Sequence, residues 1–356
     1  MTRIVVIGGG IAGMSAAAWL SADADVTVLE AEDALGYHAS GRSAALIEQN
    51  YGAPPVQALN RASFPTLRDE GYLSPRGLMI VAQADEHSRF QDDVKEMGLE
   101  EISQQDAMTL VPILNPEKVA FAAHHAEAYD IDTDRLLQDY ARKARQNGGI
   151  IETGAQVIRI GWHNGLWRVE TQAGSFEADY LINAAGAWAD DVAQLAGIAP
   201  LGIIPHRRSM ARIPAPKGLD VSLWPMFFGV SESWYAKPDA GALLVSPADE
   251  DPVTPHDAWA DDLTLAEGLA LYEGMVTTPV KRMLSNWAGL RSFAPDRSLV
   301  LGPDPRQPAF VWCAGQGGYG IQTSPAAGHL IADLIFQRAP ALDPEMVAWL
   351  TPERLM

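Results

Sequence analysis

Cysteine is almost missing from this chain. Cys313 is the single copy in 356 residues, so an internal disulfide and a cysteine-built metal site are both excluded. It lies in an apolar strand-like run, Phe310-Val311-Trp312-Cys313-Ala314, and reads as a small core residue. Basic residues are scarce as well. Lys and Arg total 26 against 45 Asp and Glu, which leaves a formal net charge of −19 with no cluster of positive charge. Such a surface repels nucleic acid and anionic lipid, so neither is expected as a partner. No apolar run approaches the roughly 20 residues that cross a bilayer. The first apolar strand opens at Ile4, which leaves no room for a secretory or transit peptide and makes a cytoplasmic location the expectation. No repeat or low-complexity tract is found. The hydrophobic content of 47% is that of an ordinary globular protein, and the length suggests two domains, interleaved or in series.

What is present begins at the N-terminus. The apolar strand Ile4-Val5-Val6-Ile7 runs into Gly8-Gly9-Gly10-Ile11-Ala12-Gly13, followed by an alanine-rich segment, Met14 to Leu20, read as an amphipathic helix. A second strand, Val26 to Leu29, ends on Glu30, twenty residues after Gly10. This is the opening of a βαβ dinucleotide-binding unit. Gly8 permits the tight turn, Gly10 lets backbone N–H groups approach a pyrophosphate, and Gly13 lets helix and strand pack closely. The helix N-terminus adds partial positive charge. Glu30 is placed to accept hydrogen bonds from a ribose, and its charge argues against a 2′-phosphate.

Further along, Gly36 to Ala45 is rich in small residues, and Arg42 offers a cation to phosphate. Residues 53–125 carry few signals beyond a turn at Ser74-Pro75-Arg76-Gly77 and a strand at Leu78 to Val81. A helix is marked from Asp132, with Leu136, Leu137, Tyr140, Ala141 and Ala144 on its apolar face and Gly148 at its end. Three β-like segments follow, with turns at His163-Asn164-Gly165 and Gln172-Ala173-Gly174. Tyr180 to Trp188 repeats the pattern of strand, glycine turn and helix. From Pro200 to Ala294 apolar alternation predicts a largely antiparallel sheet with one helix near Leu263 to Met275. The C-terminal part returns to strand, glycine turn and helix, where Ser324 is expected as the cap and Pro325 as the first helical residue.

Taken in this order, the N-terminal glycine motif, Gly36–Ala45, Asn183–Trp188, Trp287–Phe293 and Gly317–Thr323 resemble one family. It is that of the FAD-dependent D-amino-acid oxidases and dehydrogenases, the bacterial D-arginine dehydrogenases in particular, with glycine and sarcosine oxidases as cousins. The resemblance implies an α/β fold, in which a Rossmann-like FAD-binding domain is interleaved with a largely antiparallel α+β substrate domain. The expected boundaries are 1–52, 130–199 and 285–356 for the first, and 53–129 and 200–284 for the second. It implies FAD as the dinucleotide. Gly8, Gly10, Ala12 and Gly13 would hold the pyrophosphate and Glu30 the ribose. Ser40, Gly41, Arg42, Ser43 and Ala44 would line flavin and phosphates, Val157 would meet the adenine, and Gly186 would close over the nucleotide. Gly317, Gly318, Tyr319, Gly320, Ile321 and Gln322 would sit at the pyrimidine edge of the flavin, where a helix N-terminus favours negative charge.

On the substrate side the resemblance makes Arg291 the carboxylate anchor, helped by Tyr235 and Arg208, with Tyr51 beside flavin and substrate. The Gly318 carbonyl would meet the amine. The implied reaction is oxidative deamination of a D-amino acid, by hydride transfer from Cα to flavin N5, to a 2-oxo acid and ammonia, with an unidentified electron acceptor. No residue is marked as a base; His206 is conceivable, but a lone strand histidine is more often structural. Two positions depart from the members that take basic substrates. Leu78 stands where they carry glutamate and Leu46 where they carry histidine, which predicts apolar or uncharged side chains. Glu48, near the same entrance, tempers that preference. The alternatives are a glycine- or sarcosine-type secondary-amine oxidase, and a protein that only binds FAD.

Overall fold

The structure, a computed structural model, describes residues 1–356 and is organised around two large sheets. The first has six strands, in the order Val300–Asp304, Gln307–Ala314, Tyr180–Asn183, Arg3–Ile7, Asp25–Leu29 and Ile150–Glu152. All its pairings are parallel except the edge hairpin 300–314. Helix Ile11–Leu20 leaves the glycine turn and lies on this sheet. It is not amphipathic as expected: Ile11, Gly13, Met14, Ser15, Ala16, Ala17, Ala18 and Leu20 are all buried. The cause is that helices Thr133–Gln146 and Gly320–Ile335 close over its outer sides, so small residues are needed all round. Ser15 donates to the Ser324 carbonyl across that contact, where Gly328 leaves the space.

The C-terminal helix starts at Gly320, four residues before the expected cap. Pro325 therefore sits inside it and cannot donate to the Ile321 carbonyl. The Ser324 hydroxyl donates there instead, at 2.9 Å, so the proline is tolerated. Cys313 is buried in strand Gln307–Ala314, and burial pushes its thiol up to about 12, as befits an inert core residue.

The second sheet has nine strands and is antiparallel apart from the pairing of Met226–Gly229 with Leu78–Ala82. Its long strand Ile204–Pro214 pairs with Ala242–Ser246 and, over its whole early length, with Ser285–Phe293. The expected return to the nucleotide domain at residue 285 thus falls one strand too early. The sequence 285–293 alternates because it belongs to this sheet, and the chain crosses back only after Phe293. Helices Pro54–Asp69, His87–Met97 and Gln104–Leu110 lie in the region that carried few signals. Two three-stranded sheets complete the fold. One is the meander Val157–His163, Leu166–Thr171, Gly174–Ala178 at the predicted turns; the other joins Leu46–Ile47, Tyr129–Ile131 and Leu73–Pro75. No helix is long and apolar enough to cross a membrane.

Candidate active site

A chain of three cavities runs from the parallel sheet to the junction with the second sheet. The outermost, about 1320 Å³, is lined by Gly8, Gly10, Glu30, Ser40, Arg42, Val157 and Gly186 among others. The middle one, about 850 Å³, shares Gly10, Ser40, Arg42 and Gly186 with it and adds Ala12, Ser43, Ala44, Gly317, Gly318, Gly320 and Ile321. The innermost, about 750 Å³, shares Ser43, Ala44, Arg208, Tyr235, Arg291, Gly318 and Ile321 with the middle one. Most of the expected cofactor residues therefore come together on one groove.

The groove is shaped by backbone. Gly8 has φ +109°, and a Cβ on it would run into the Ala184 carbonyl oxygen. Gly13 lies behind the groove rather than on it; a Cβ there would strike the Gly8 carbonyl oxygen, so it sets the distance between turn and helix. Gly41 does not line the groove either; it is exposed, and its N–H donates to the Gly36 carbonyl at 2.8 Å. The N-terminus of helix Ile11–Leu20 opens onto the groove, and the Ile11 N–H donates to Ser40 Oγ at 2.9 Å. The Glu30 carboxylate accepts from the Gly9 and Glu32 N–H groups at 2.6 and 2.9 Å.

Two expected cofactor contacts differ. Arg42 borders the groove, but its guanidinium is taken up by an ion pair with Asp257 and by the Ala258 and Ala288 carbonyls at 2.8 and 3.0 Å. These acceptors come from the loop that carries Asp257 and Ala258 and from strand Ser285–Phe293, which carries Ala288. Tyr319 does not line the groove. It ends the glycine turn with its ring edge-on to Tyr51, centroids 5.3 Å apart, and to Phe293.

The inner pocket is built from side chains of distant strands. Arg291 comes from strand Ser285–Phe293, Arg208 from the facing strand Ile204–Pro214, and Tyr235 opens strand Tyr235–Asp239. Arg208 donates through Nε to the Asp249 carbonyl at 2.8 Å, while its buried Nη1 has no partner. The Arg291 guanidinium donates to no protein acceptor and opens onto both inner cavities. Gly318 faces it: a Cβ there would lie 3.1 Å from Arg291 Nη1. Burial works against the Arg291 charge, but Tyr51, Tyr235 and Glu232 around it more than offset this and raise its pKa. Tyr51 donates to Glu232 Oε2 at 3.3 Å, and burial pushes its phenol well up, so it stays a neutral donor.

Leu46, Leu78 and Glu48 line the same pocket, as does Gln322, whose Oε1 accepts the Glu48 N–H at 3.3 Å. His206 does not. Its ring is edge-on to Phe293 at 5.4 Å and its Nδ1 lies 3.0 Å from the Ile204 carbonyl oxygen, away from the cavity, which removes it as an acid or base. Residues the sequence did not flag also enter: Glu232, Met97, Met226 and Phe228 line the pocket, and His125 stands behind Glu48. Glu232 sits in a turn where it and Ser231 have φ near +51° and +54°, a conformation with no glycine to signal it. No group of three or more His, Cys, Asp or Glu side chains is placed to hold a metal ion.

A narrow, backbone-lined groove that starts at a helix N-terminus and ends against polar side chains fits an extended dinucleotide with its reactive ring innermost. Comparison with known proteins agrees. Residues 3–334 match the family described as DAO, FAD dependent oxidoreductase. The chain is similar to FAD-dependent oxidoreductase domain-containing protein 1 of Mus musculus, at 24% identity over 94% of this chain and 81% of that protein. It is also similar to glycine oxidase of Geobacillus kaustophilus (strain HTA426), at 24% identity over 96% of this chain and 94% of the relative. Among solved structures, L-proline dehydrogenase from P. horikoshii shares its fold, with a TM-score of 0.86 at 22% identity over 99% of this chain and 97% of the other. This chain belongs to the family of FAD-dependent oxidoreductases, with FAD as its cofactor.

Proposed function

We propose that this protein oxidises the Cα–N bond of an α-amino acid that presents a free carboxylate. The observation that carries the reading is the unpartnered guanidinium of Arg291, set with Tyr235 and the free Nη1 of Arg208 where the groove meets the inner pocket. A buried cation without an acceptor is costly, and a bidentate carboxylate offsets that cost while fixing the substrate's orientation. A protein that merely held FAD would have no need of it.

When bound, FAD supplies the two-electron acceptor. The chain's own residues bind and align. Arg291 and Tyr235 hold the carboxylate, the neutral Tyr51 packs beside it with its proton directed to Glu232, and Leu46, Leu78, Met97, Met226 and Phe228 wall the side chain off from water. No histidine or lysine lines the pocket, and of its two carboxylates Glu232 is engaged by Tyr51 and Glu48 by the Asn50 N–H, so on this reading catalysis rests on positioning. Oxidation of the amine gives an imino acid, which water hydrolyses to a 2-oxo acid and ammonia.

The family resemblance of the site residues supports a D-amino acid. The similarity to glycine oxidase supports a second reading, in which glycine or an N-methylated amine is the substrate. Anaerobic mixing of the purified yellow protein with D- and L-amino acids, glycine and sarcosine tests both. Bleaching of the flavin band by D-amino acids alone is the expected result. Bleaching by glycine or sarcosine in preference would move the assignment to the second reading, and no bleaching by any of them would overturn both.

A further inference from the structure

We infer that Glu48 selects the substrate's side chain, and that it takes one ending in a cationic hydrogen-bond donor, an ammonium or a guanidinium. The inference rests on the amino-acid reading above and narrows it, against the apolar preference that Leu46 and Leu78 alone suggest.

The starting point is a carboxylate with one oxygen left over. Glu48 is buried, with 4% of its surface exposed, yet it lines the inner pocket. Its backbone is fully committed: the N–H donates to Gln322 Oε1 and the carbonyl accepts from Asn60 Nδ2. Oε2 accepts the Asn50 N–H at 2.8 Å, a local turn contact that needs only one oxygen. Oε1 accepts from no side chain, although the Gln49 and Tyr51 N–H groups also act on the carboxylate. Its neighbour is His125 Nε2, 3.8 Å away and itself buried without a partner.

His125 does not supply the missing charge. Its Nδ1 accepts the Glu127 N–H at 3.1 Å, so the neutral ring carries its proton on Nε2, facing Glu48. Burial, with His124 alongside, lowers the His125 pKa and keeps the ring neutral. Arg61, whose charge reaches Glu48 from a distance, is hydrogen-bonded to Asn50 and Gln57 instead. The surrounding wall is apolar, with Leu46, Leu78, Met97 and Phe228. Glu48 is thus a carboxylate held in a poorly solvated place with an empty acceptor site, which is what a cationic group entering the cavity would fill.

Glu48 and the carboxylate anchor Arg291 line the same cavity, and the remaining wall is largely apolar, with Leu46, Leu78, Met97, Met226 and Phe228. A zwitterion anchored at Arg291 therefore has Glu48 as an acidic group of the wall that its side chain meets. A four-carbon stem with a terminal amine matches that combination of anchor, apolar wall and carboxylate.

The test compares lysine with norleucine, which is lysine without its terminal amine, in whichever configuration the enzyme oxidises. The wild-type protein is expected to favour lysine in kcat/KM by about tenfold or more, the scale of one charge-assisted contact. Glu48→Gln keeps an acceptor for the Asn50 N–H and removes the charge. It is expected to lower the lysine-to-norleucine ratio by about tenfold or more, as for a buried pair broken on one side. Glu48→Asp, which keeps the charge, is expected to retain part of the ratio and serves if the glutamine variant does not fold. Preference for norleucine in the wild type, or a ratio unchanged in both variants, would overturn the inference. If neither amino acid nor any other bleaches the flavin, it is the amino-acid reading that fails.

Discussion

The cofactor groove and the substrate pocket meet at Gly318 and Ile321 but are built on opposite principles. Along most of the groove the polar side chains already have partners, Ser292 Oγ being a buried exception. Ser40 caps the Ile11 N–H, Glu30 is held by two backbone N–H groups, and Arg42 is spent on Asp257 and two carbonyls. In the pocket charged atoms are left open, namely the Arg291 guanidinium, Arg208 Nη1 and Glu48 Oε1, with the neutral His125 Nε2 unpartnered behind Glu48. The groove recognises by fixed shape and by the backbone N–H groups of its helix N-terminus. The pocket holds unmet electrostatic demand, and only a ligand of matching charges meets it. Damage to the first should therefore release FAD, and damage to the second should spare FAD and cost turnover.

The largest effect is expected at Arg291. Replacing it by alanine leaves the substrate carboxylate buried without a cation, a loss of about 2–5 kcal/mol. That corresponds to a fall in kcat/KM of about 30-fold to several thousand-fold. Flavin content, read from the visible spectrum, should stay at the wild-type level, and Arg291→Lys should fall between the two because it keeps charge and loses the fork. Loss of FAD from Arg291→Ala would mean that the two regions are not separable. The groove counterpart is Gly13→Val, which drives side-chain atoms into the Gly8 carbonyl. Overpacking of this kind costs about 1–3 kcal/mol, and here it falls on the pyrophosphate turn. The variant should purify with little bound flavin, and a fully yellow, active protein would refute the close-approach argument.

The same contrast governs what could be read from the sequence. Every part of the groove motif is local: strand, glycine turn and helix lie within thirty residues, and the spacing from Gly10 to Glu30 carries its own geometry. The pocket depends on which distant strands become neighbours. Arg291 and Arg208 were legible through their resemblance to a family, but their apposition follows from the register that sets Arg208 against Gly289 and His206 against Arg291. That register belongs to a sheet whose boundary the sequence placed one strand off. Glu232 and His125 were missed because neither has a motif; one sits in a turn without glycine, and the other only matters because Leu78 pairs with it across strands. The helices of 53–125 were missed for a related reason, since their faces are only partly buried and Pro65 interrupts the pattern of the first. Helix Ile11–Leu20 was misread in the other direction, as half-exposed, because burial on all sides comes from helices far away in sequence.

A smaller effect tests the unmet demand in the pocket without any substrate. Burial raises the pKa of Glu48 above its ordinary 4.5, so the folded state holds this proton more tightly than the unfolded one. The sign follows. Glu48 adds stability in acid, below the unfolded pKa, and that contribution is lost as pH rises through the folded value. Glu48→Gln should thus melt above the wild type near neutral pH, with the gap closing as pH is lowered toward 4.5. A variant that is less stable than wild type at neutral pH would show that the carboxylate is already well paired.

The smallest effect is expected where the second domain touches the groove. Asp257 belongs to the loop between strand Asp251–Pro252 and helix Asp262–Met275, and it joins Arg42 while Tyr37 and His38 approach the same carboxylate at 3.3 and 3.9 Å. The loop also brings His256 and Ala258 to the wall of the outer cavity, so this ion pair ties the loop to that cavity's rim. Asp257 is more than half exposed, which keeps the pair near the weak end, about 1 kcal/mol or less. Asp257→Ala should then weaken FAD binding by about fivefold at most, measured by flavin fluorescence on dilution, and the effect should shrink with added salt. Arg42→Ala should do more, because it also abandons the Ala258 and Ala288 carbonyls, which then face a buried wall without donors. If Arg42→Ala and Asp257→Ala release FAD equally, the ion pair alone holds the loop; if only Arg42→Ala does, the clamp lies in the carbonyl contacts and the carboxylate merely steers the guanidinium into place.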